Sequence, residues 1–348
     1  MAAGKLLLVV GAGASKEFGL PTGGELKKQI SAFLDFKIDD FGNYNGGDPR
    51  AHRILSDLSE NAITDQNSAR ARYFAAAQLI HKNMLIAPSI DNFLDTHKKN
   101  DYVVTLGKAT IAQLIVAGEE KSKLFVQKDN TFNLLNLSRV AETWLGRLFT
   151  RLVSGKSYEG FVEGLARIKF VSFNYDRCVQ QFFWYAVRSY FEKSPEEAEQ
   201  LVKSLDVEYV YGSIGEFKIL SSFSNFGHGG DILKASMSIK TFTEGTAPAL
   251  RTSIASAVSG ANAVVFLGFG FLPLNLKALF GDDQYEVGSI FATCMGLSRY
   301  TEEDVRQYLV GHLLKRKRQN QMAQFDALDL HFRDQTCADF TRDYERIF

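Results

Sequence analysis

A chain of 348 residues, 45% hydrophobic and 23% charged, has the composition of a globular protein and enough length to bury its own core without staples. Lys+Arg and Asp+Glu both number 40, so no net charge draws the chain to nucleic acid or an anionic membrane, and little self-repulsion opposes oligomers. Cys178, Cys294 and Cys337 are too few and scattered for a disulfide framework and hold no C-x-x-C pair for a zinc ribbon, and no run approaches the ~20 apolar residues of a membrane helix; a cytoplasmic protein without bound metal is expected.

The first β-rich run, Lys5–Val10, leads directly into Gly11-Ala12-Gly13-Ala14-Ser15 and a polar, helix-like stretch. From Phe36 to Tyr158 the composition changes. β-branched runs are few and helix formers many, as in Ser68–Leu85 and Leu134–Val153, with a turn-rich loop at Phe41–Arg50. A second strand is expected at Arg167–Phe173, followed by a helix over Asp176–Tyr190. The next helix, Ser194–Leu205, opens on S-P-E-E, with Ser at the cap, Pro at the first position and acids in the first turn. A strand at Val207–Tyr211, an Ala-rich helix at Ala247–Ser259 and strands at Ala261–Leu267 and Ser289–Cys294 complete the series. The basic run Leu313–Gln319 reads as a solvated helix face. Short, nearly continuous apolar strands alternating with helices predict a Rossmann-like, doubly wound α/β fold with a mostly parallel sheet. Residues 1–35 and 159–348 are expected to build it, with 36–158 as a mostly helical insertion.

Gly11 and Gly13 follow a strand and precede a helix. Glycines let a backbone approach a ligand closely, and free helix N–H groups suit an anion. Ser15 adds a hydroxyl. No G-K-[ST] follows, so this is no P-loop, and Lys16 stands where a Rossmann fingerprint has its third glycine. Alone, such a corner is equally well a tight strand–helix turn. Three other segments accompany it: V-S-F-N-Y-D (Val171–Asp176), Y-V-Y-G-S-I-G (Tyr209–Gly215) and V-V-F-L-G-F-G-F (Val264–Phe271). All four lie at carboxyl ends of predicted strands, the edge where open α/β sheets bind ligands.

These segments resemble the sirtuin-like domains, and within them the bacterial NAD-hydrolase proteins of anti-phage defence, over roughly residues 1–35 and 160–300. G-A-G-A-S from Gly11, continuing to G-L-P, is similar to the family's NAD phosphate and ribose loop. F-N-Y-D from Phe173 is similar to its strand ending in Asn-x-Asp. Y-G-S from Tyr211 stands where the family has His-Gly, and L-G-F-G from Leu267 is similar to the glycine turn beside the adenosine. S-I-D-N-F-L-D, Ser89–Asp95, resembles a segment of the defence branch's helical region. The resemblance implies NAD contacts from Gly11, Ala12, Gly13, Ala14, Ser15, Phe173, Gly212, Ser213, Gly268 and Phe269. Three departures stand out. The zinc ribbon is missing, Pro21 is followed by Thr22-Gly23-Gly24 instead of Asp-Phe-Arg, and the family's catalytic histidine is Tyr211. They weaken a protein-deacylase reading and leave hydrolysis of NAD to nicotinamide and ADP-ribose.

In that reaction nicotinamide leaves neutral from a cationic precursor, and the ribose passes through an oxocarbenium-like state. A dipole near the developing cation and a positioned water suffice. Asn174 is expected to offer its amide oxygen to the cation and its NH2 to a ribose hydroxyl or water; its alternative is a turn at a strand end. Asp176 is expected to touch the carboxamide or to cap the following helix. Tyr211 is either a water-orienting hydroxyl or a core tyrosine. His228, in a Gly-flanked loop, is either a substitute base or a solvated histidine. An activity that depletes NAD implies control, so a separate sensor or activator protein and a homo-oligomer are expected partners. The rival reading is a catalytically silent NAD- or nucleotide-binding module.

Overall fold

The computed structural model describes residues 5–38, 44–62, 65–128, 134–220, 223–245, 248–315 and 329–348. Six runs form one sheet: β1 (Lys5–Val10), β2 (Ile168–Ser172), β3 (Val207–Tyr209), β4 (Ala261–Leu267), β5 (Ser289–Thr293) and β6 (Asp329–Arg333). Their order across the sheet is β6-β5-β4-β1-β2-β3, and every neighbouring pair is parallel. This is the doubly wound, Rossmann-like α/β fold. Chain order reverses between β1 and β4, the switch point at whose carboxyl ends open α/β sheets have their ligand crevice. No described helix is long and apolar enough to cross a membrane.

Alternation along β1 sorts the core into two layers. Leu7 and Val9 face one, and Leu6, Leu8 and Val10 face the other. Residues 36–158 feed both. Leu106, Ile111 and Ile115, on the helix Asp101–Lys121, join the first layer; Trp144, Leu145 and Leu148, on the helix Trp144–Val153, join the second. The mostly helical segment is thus packed as part of the sheet's own covering.

Several boundaries differ from expectation, each for a local reason. The strand expected to reach Tyr211 stops at Tyr209, because the Gly212 N–H turns back to the Tyr209 carbonyl (3.2 Å) with Gly212 at φ 71°. The stretch Leu134–Val153 is not one helix: a 3-10 turn at Leu137–Arg139 precedes a helix that starts at Trp144 behind a Thr143 cap. The helix expected from Asp176 begins at Cys178. Leu313–Lys315 pairs as a strand with Tyr285–Val287, and the rest of the basic run lies outside the described residues. β6 has no counterpart among the expected strands. As an edge strand it buries Phe332 between the polar His331 and Arg333, so its apolar signal is thin.

Two carboxylates, Glu17 half-buried and Glu119 fully buried, fasten helices to one another. Glu17 accepts the N–H of Trp144 (2.9 Å) and of Ala338 (2.7 Å), satisfying donors at the starts of two helices. Glu119, fully buried on the helix Asp101–Lys121, meets Arg177, which is 3% exposed at the start of the helix Cys178–Tyr190. Its Oε1 accepts the Arg177 backbone N–H (3.0 Å) and Nε (3.2 Å), and its Oε2 accepts Nη2 (2.6 Å) and the Gly227 N–H (2.8 Å). Removing one member would strand a buried charge. Glu119→Gln is expected to cost about 3–5 kcal/mol of unfolding free energy, seen as a lower urea midpoint at unchanged slope. A loss under about 1 kcal/mol would show that the pair does not hold the layers together.

Candidate functional site

The Gly-rich corner is built by backbone meeting backbone. The Gly11 N–H donates to the Leu267 carbonyl (2.9 Å) and the Gly13 N–H to the Gly268 carbonyl (3.0 Å). A Cβ on Gly13 would stand 2.8 Å from Gly268 Cα, and one on Gly268, at φ 58°, only 2.1 Å from the Ala14 nitrogen. These glycines let the β1 and β4 loops touch. That corrects the expectation of a corner whose N–H groups are free for a phosphate: the Gly13 donor is already used. Ala12 and Ala14 belong to the five-residue helix Ala12–Lys16 that follows.

Ser15 is brought against the β2 end. Asn174, 6% exposed, donates Nδ2–H to the Gly11 carbonyl (2.9 Å) and to Ser15 Oγ (2.9 Å). A carbonyl can only accept, so the orientation of the amide is fixed. Its Oδ1 is then buried with no hydrogen-bond partner. The expected roles are therefore half met in geometry: the amide oxygen is available, whereas the NH2 is held by the protein. Asp176, 7% exposed, shares Ser15 and accepts the Cys178 N–H (3.1 Å). Burial raises its pKa, against the pull of those hydrogen bonds. It satisfies the helix start from two residues before Cys178, while Arg177 occupies the cap position without a side-chain cap bond.

On the other face of the strand ends stands an aromatic wall. Phe173 meets Phe269 edge-on at 4.9 Å and Tyr211 at 5.7 Å. Tyr211 is 1% exposed, and its hydroxyl donates to Asn275 Oδ1 (2.8 Å). Burial, with Asp91 and Asp95 adding, pushes its pKa well above the ordinary phenol value, so it is no base. Gly212 is shaped by packing, since a Cβ there would lie 1.8 Å from the Ser238 carbonyl oxygen. Ser213 Oγ donates to the Gly215 carbonyl (3.0 Å). His228 is grouped elsewhere. It meets Phe125 edge-on at 5.1 Å, next to Gly227 and the Glu119–Arg177 pair, and burial and Lys128 hold its pKa below the usual value.

Sequence reasoning missed one pair at this edge. The Tyr175 hydroxyl donates to Asp91 Oδ1, on the helix Ile90–Thr96. Asp91 keeps part of its surface, but burial still dominates and raises its pKa to about 6, against the lowering effect of the Tyr175 bond. In sequence Asp91 lies in the S-I-D-N-F-L-D segment, read only as a resemblance with no role for this residue, and nothing there announces a contact 84 residues away.

One cavity, about 990 Å³, is lined by Arg53 and Asp57 of the helix Pro49–Glu60, Gln113 and the segment Gly229–Lys234. A smaller one of about 210 Å³ sits at the edge of the sheet opposite the carboxyl ends of the strands, beside Lys5 and Lys169. At the carboxyl edge Phe173, Asn174, Tyr175 and Asp176 are all buried. Compared with protein-family models and with curated proteins, the chain matches none.

Because Gly13 and Gly268 touch through their backbones, Gly13→Val is expected to destabilise the fold by about 2 kcal/mol or more in the absence of any ligand. A ligand-free melting temperature equal to that of the parent would show that the corner has room for a side chain.

Proposed function

We propose that the chain is an NAD hydrolase that cleaves the bond between nicotinamide and ribose at the crevice between β1 and β4. One observation carries this reading. Asn174 Oδ1 is buried and unpaired beside a glycine corner at the topological switch point. An orphaned carbonyl dipole in a low-dielectric setting costs stability, and it stabilises a cation brought near it. In the proposed step the N-glycosidic bond breaks and its electron pair goes to the pyridine nitrogen, neutralising it. Water then bonds to the anomeric carbon and loses a proton, for which Asp176, which shares Ser15 with Asn174 and has its pKa raised by burial, is the carboxylate acceptor. NAD must part the side chains that now close over Oδ1. The resemblance to defence NAD hydrolases supports an effector held dormant until a separate sensor or activator protein, or self-assembly, opens the edge.

The Tyr211 hydroxyl, donated to Asn275, favours one second reading: a module that binds NAD or another nucleotide without cleaving it. Following nicotinamide release from NAD separates the two, with nucleotide recovered from denatured protein as the mark of the silent module. For the hydrolase, Asn174→Ala is expected to cut release by at least ~100-fold. Its Nδ2 bonds add a stability cost of about 1–3 kcal/mol, so folded mutant must be confirmed by its melting curve. Comparable turnover by the folded mutant would place the chemistry elsewhere.

A further inference from the structure

Asn174 is held from one side by Gly11 and Ser15. The residue after it is held from the other. Along an extended backbone successive side chains point to opposite faces, and Tyr175 packs in the layer that contains Val171, Phe173 and Tyr211. There its hydroxyl donates to Asp91, its carbonyl accepts the Ile214 N–H (3.0 Å), and only 7% of it is exposed. Asp91 rides on the helix Ile90–Thr96. One turn later on that helix, Asp95 accepts the Thr243 N–H (3.1 Å) and also its hydroxyl. Two residues beyond Thr243, Gly245 backs onto the Val210 carbonyl and the Tyr211 ring, with a Cβ there only 2.6 Å from the former. One short helix of the 36–158 segment therefore grips both strand-end loops, the one after β2 and the one after β3.

We propose that Asp91, acting through Tyr175, is a positioning residue for Asn174, and that their hydrogen bond holds the 173–176 loop so that Asn174 Oδ1 stays unpaired at the crevice. This rests on the hydrolase reading for its consequence but not for its geometry. An ionised carboxylate makes the stronger hydrogen bond. With a pKa raised by burial to about 6, Asp91 is ionised above that pH and loses its charge below it. The clamp is thus tight at neutral pH and weakens as pH falls through about 6. The other titratable and charged groups near Asp91 are Tyr175 and Tyr211 from the strand ends, Asp95 on its own helix, and the Glu244–Lys108 pair from the two helices packed against it. Lys27 reaches the preceding turn through the Ala87 carbonyl (2.7 Å).

The test has two arms. In the kinetic arm, Tyr175→Phe and Asp91→Leu should lower kcat for nicotinamide release by roughly tenfold, the scale of one lost hydrogen bond, with KM within about twofold. Asp91→Asn keeps an acceptor without the charge. It should retain most of the neutral-pH kcat and lose the acid limb near pH 6 that the parent shows. In the second arm the side-chain amide resonance of Asn174 is followed by NMR without substrate. It should shift with a midpoint near pH 6 in the parent, move in Tyr175→Phe, and stay pH-independent in Asp91→Asn. An Asn174 amide indifferent to pH and to Tyr175→Phe overturns the proposal. Intact nucleotide recovered from the denatured protein, without NAD turnover and with a titrating amide, overturns the hydrolase reading and leaves the clamp standing.

Discussion

The buried pairing of Glu119 with Arg177 is the constraint on which the rest of the molecule depends. It joins a helix of the 36–158 segment, the start of the helix after β2, and the Asn225–Gly227 loop, where the Arg177 guanidinium also donates to the Asn225 carbonyl (3.0 Å). Two ions removed from water cost several kcal/mol each unless their geometry and hydrogen bonds compensate. Here each carboxylate oxygen accepts two donors, one from the guanidinium and one from a backbone N–H. The compensation is available in only one arrangement of the three segments. Arg177 directly follows Asp176, so the pair also determines where the Asn174–Asp176 loop can lie.

From that anchor the strand-end edge is held on three sides. Gly11 and Gly13 lock onto Gly268, joining the two loops at the switch point. Ser15 bridges Asn174 and Asp176. Tyr175 reaches the insertion helix through Asp91. With this much surrounding structure over-determining it, the loop can carry an unpaired Asn174 oxygen, a feature that a less constrained loop would relax away by turning toward a donor.

The fold was legible wherever burial on both faces made a strand continuously apolar. β1, β2, β4 and β5 read directly, as did the Ser194 cap and Pro195 that start the helix Pro195–Ser204. β6 did not, because an edge strand needs few apolar residues. The site was legible in part. The convergence of Gly11, Ser15, Asn174 and Gly268 follows from strand order, which periodicity and connection length suggest. The backbone contact the glycines make was not legible, since close approach to a ligand and close approach to another backbone leave the same residue in the sequence. Glu119, Glu17 and Asp91 were invisible for a different reason. Each looks like a helix-surface acid, and only the packing of distant segments turns it into an acceptor for another element's donors. The neighbours of His228 were equally hidden, its Gly-flanked loop lying beside the Glu119–Arg177 pair and Phe125.

The central claim is spatial: the NAD ribose meets Asn174 Oδ1 at the crevice between β1 and β4. A crystal structure with carba-NAD, whose carbocyclic ring resists hydrolysis, tests it most directly. The account predicts the pyrophosphate near the Gly11–Ser15 corner and the nicotinamide-side ring within hydrogen-bond reach of Asn174 Oδ1, with the aromatic wall of Phe173 and Phe269 displaced to admit it. The analogue seated instead in the cavity along the helix Pro49–Glu60, with the carboxyl edge still closed, would contradict it.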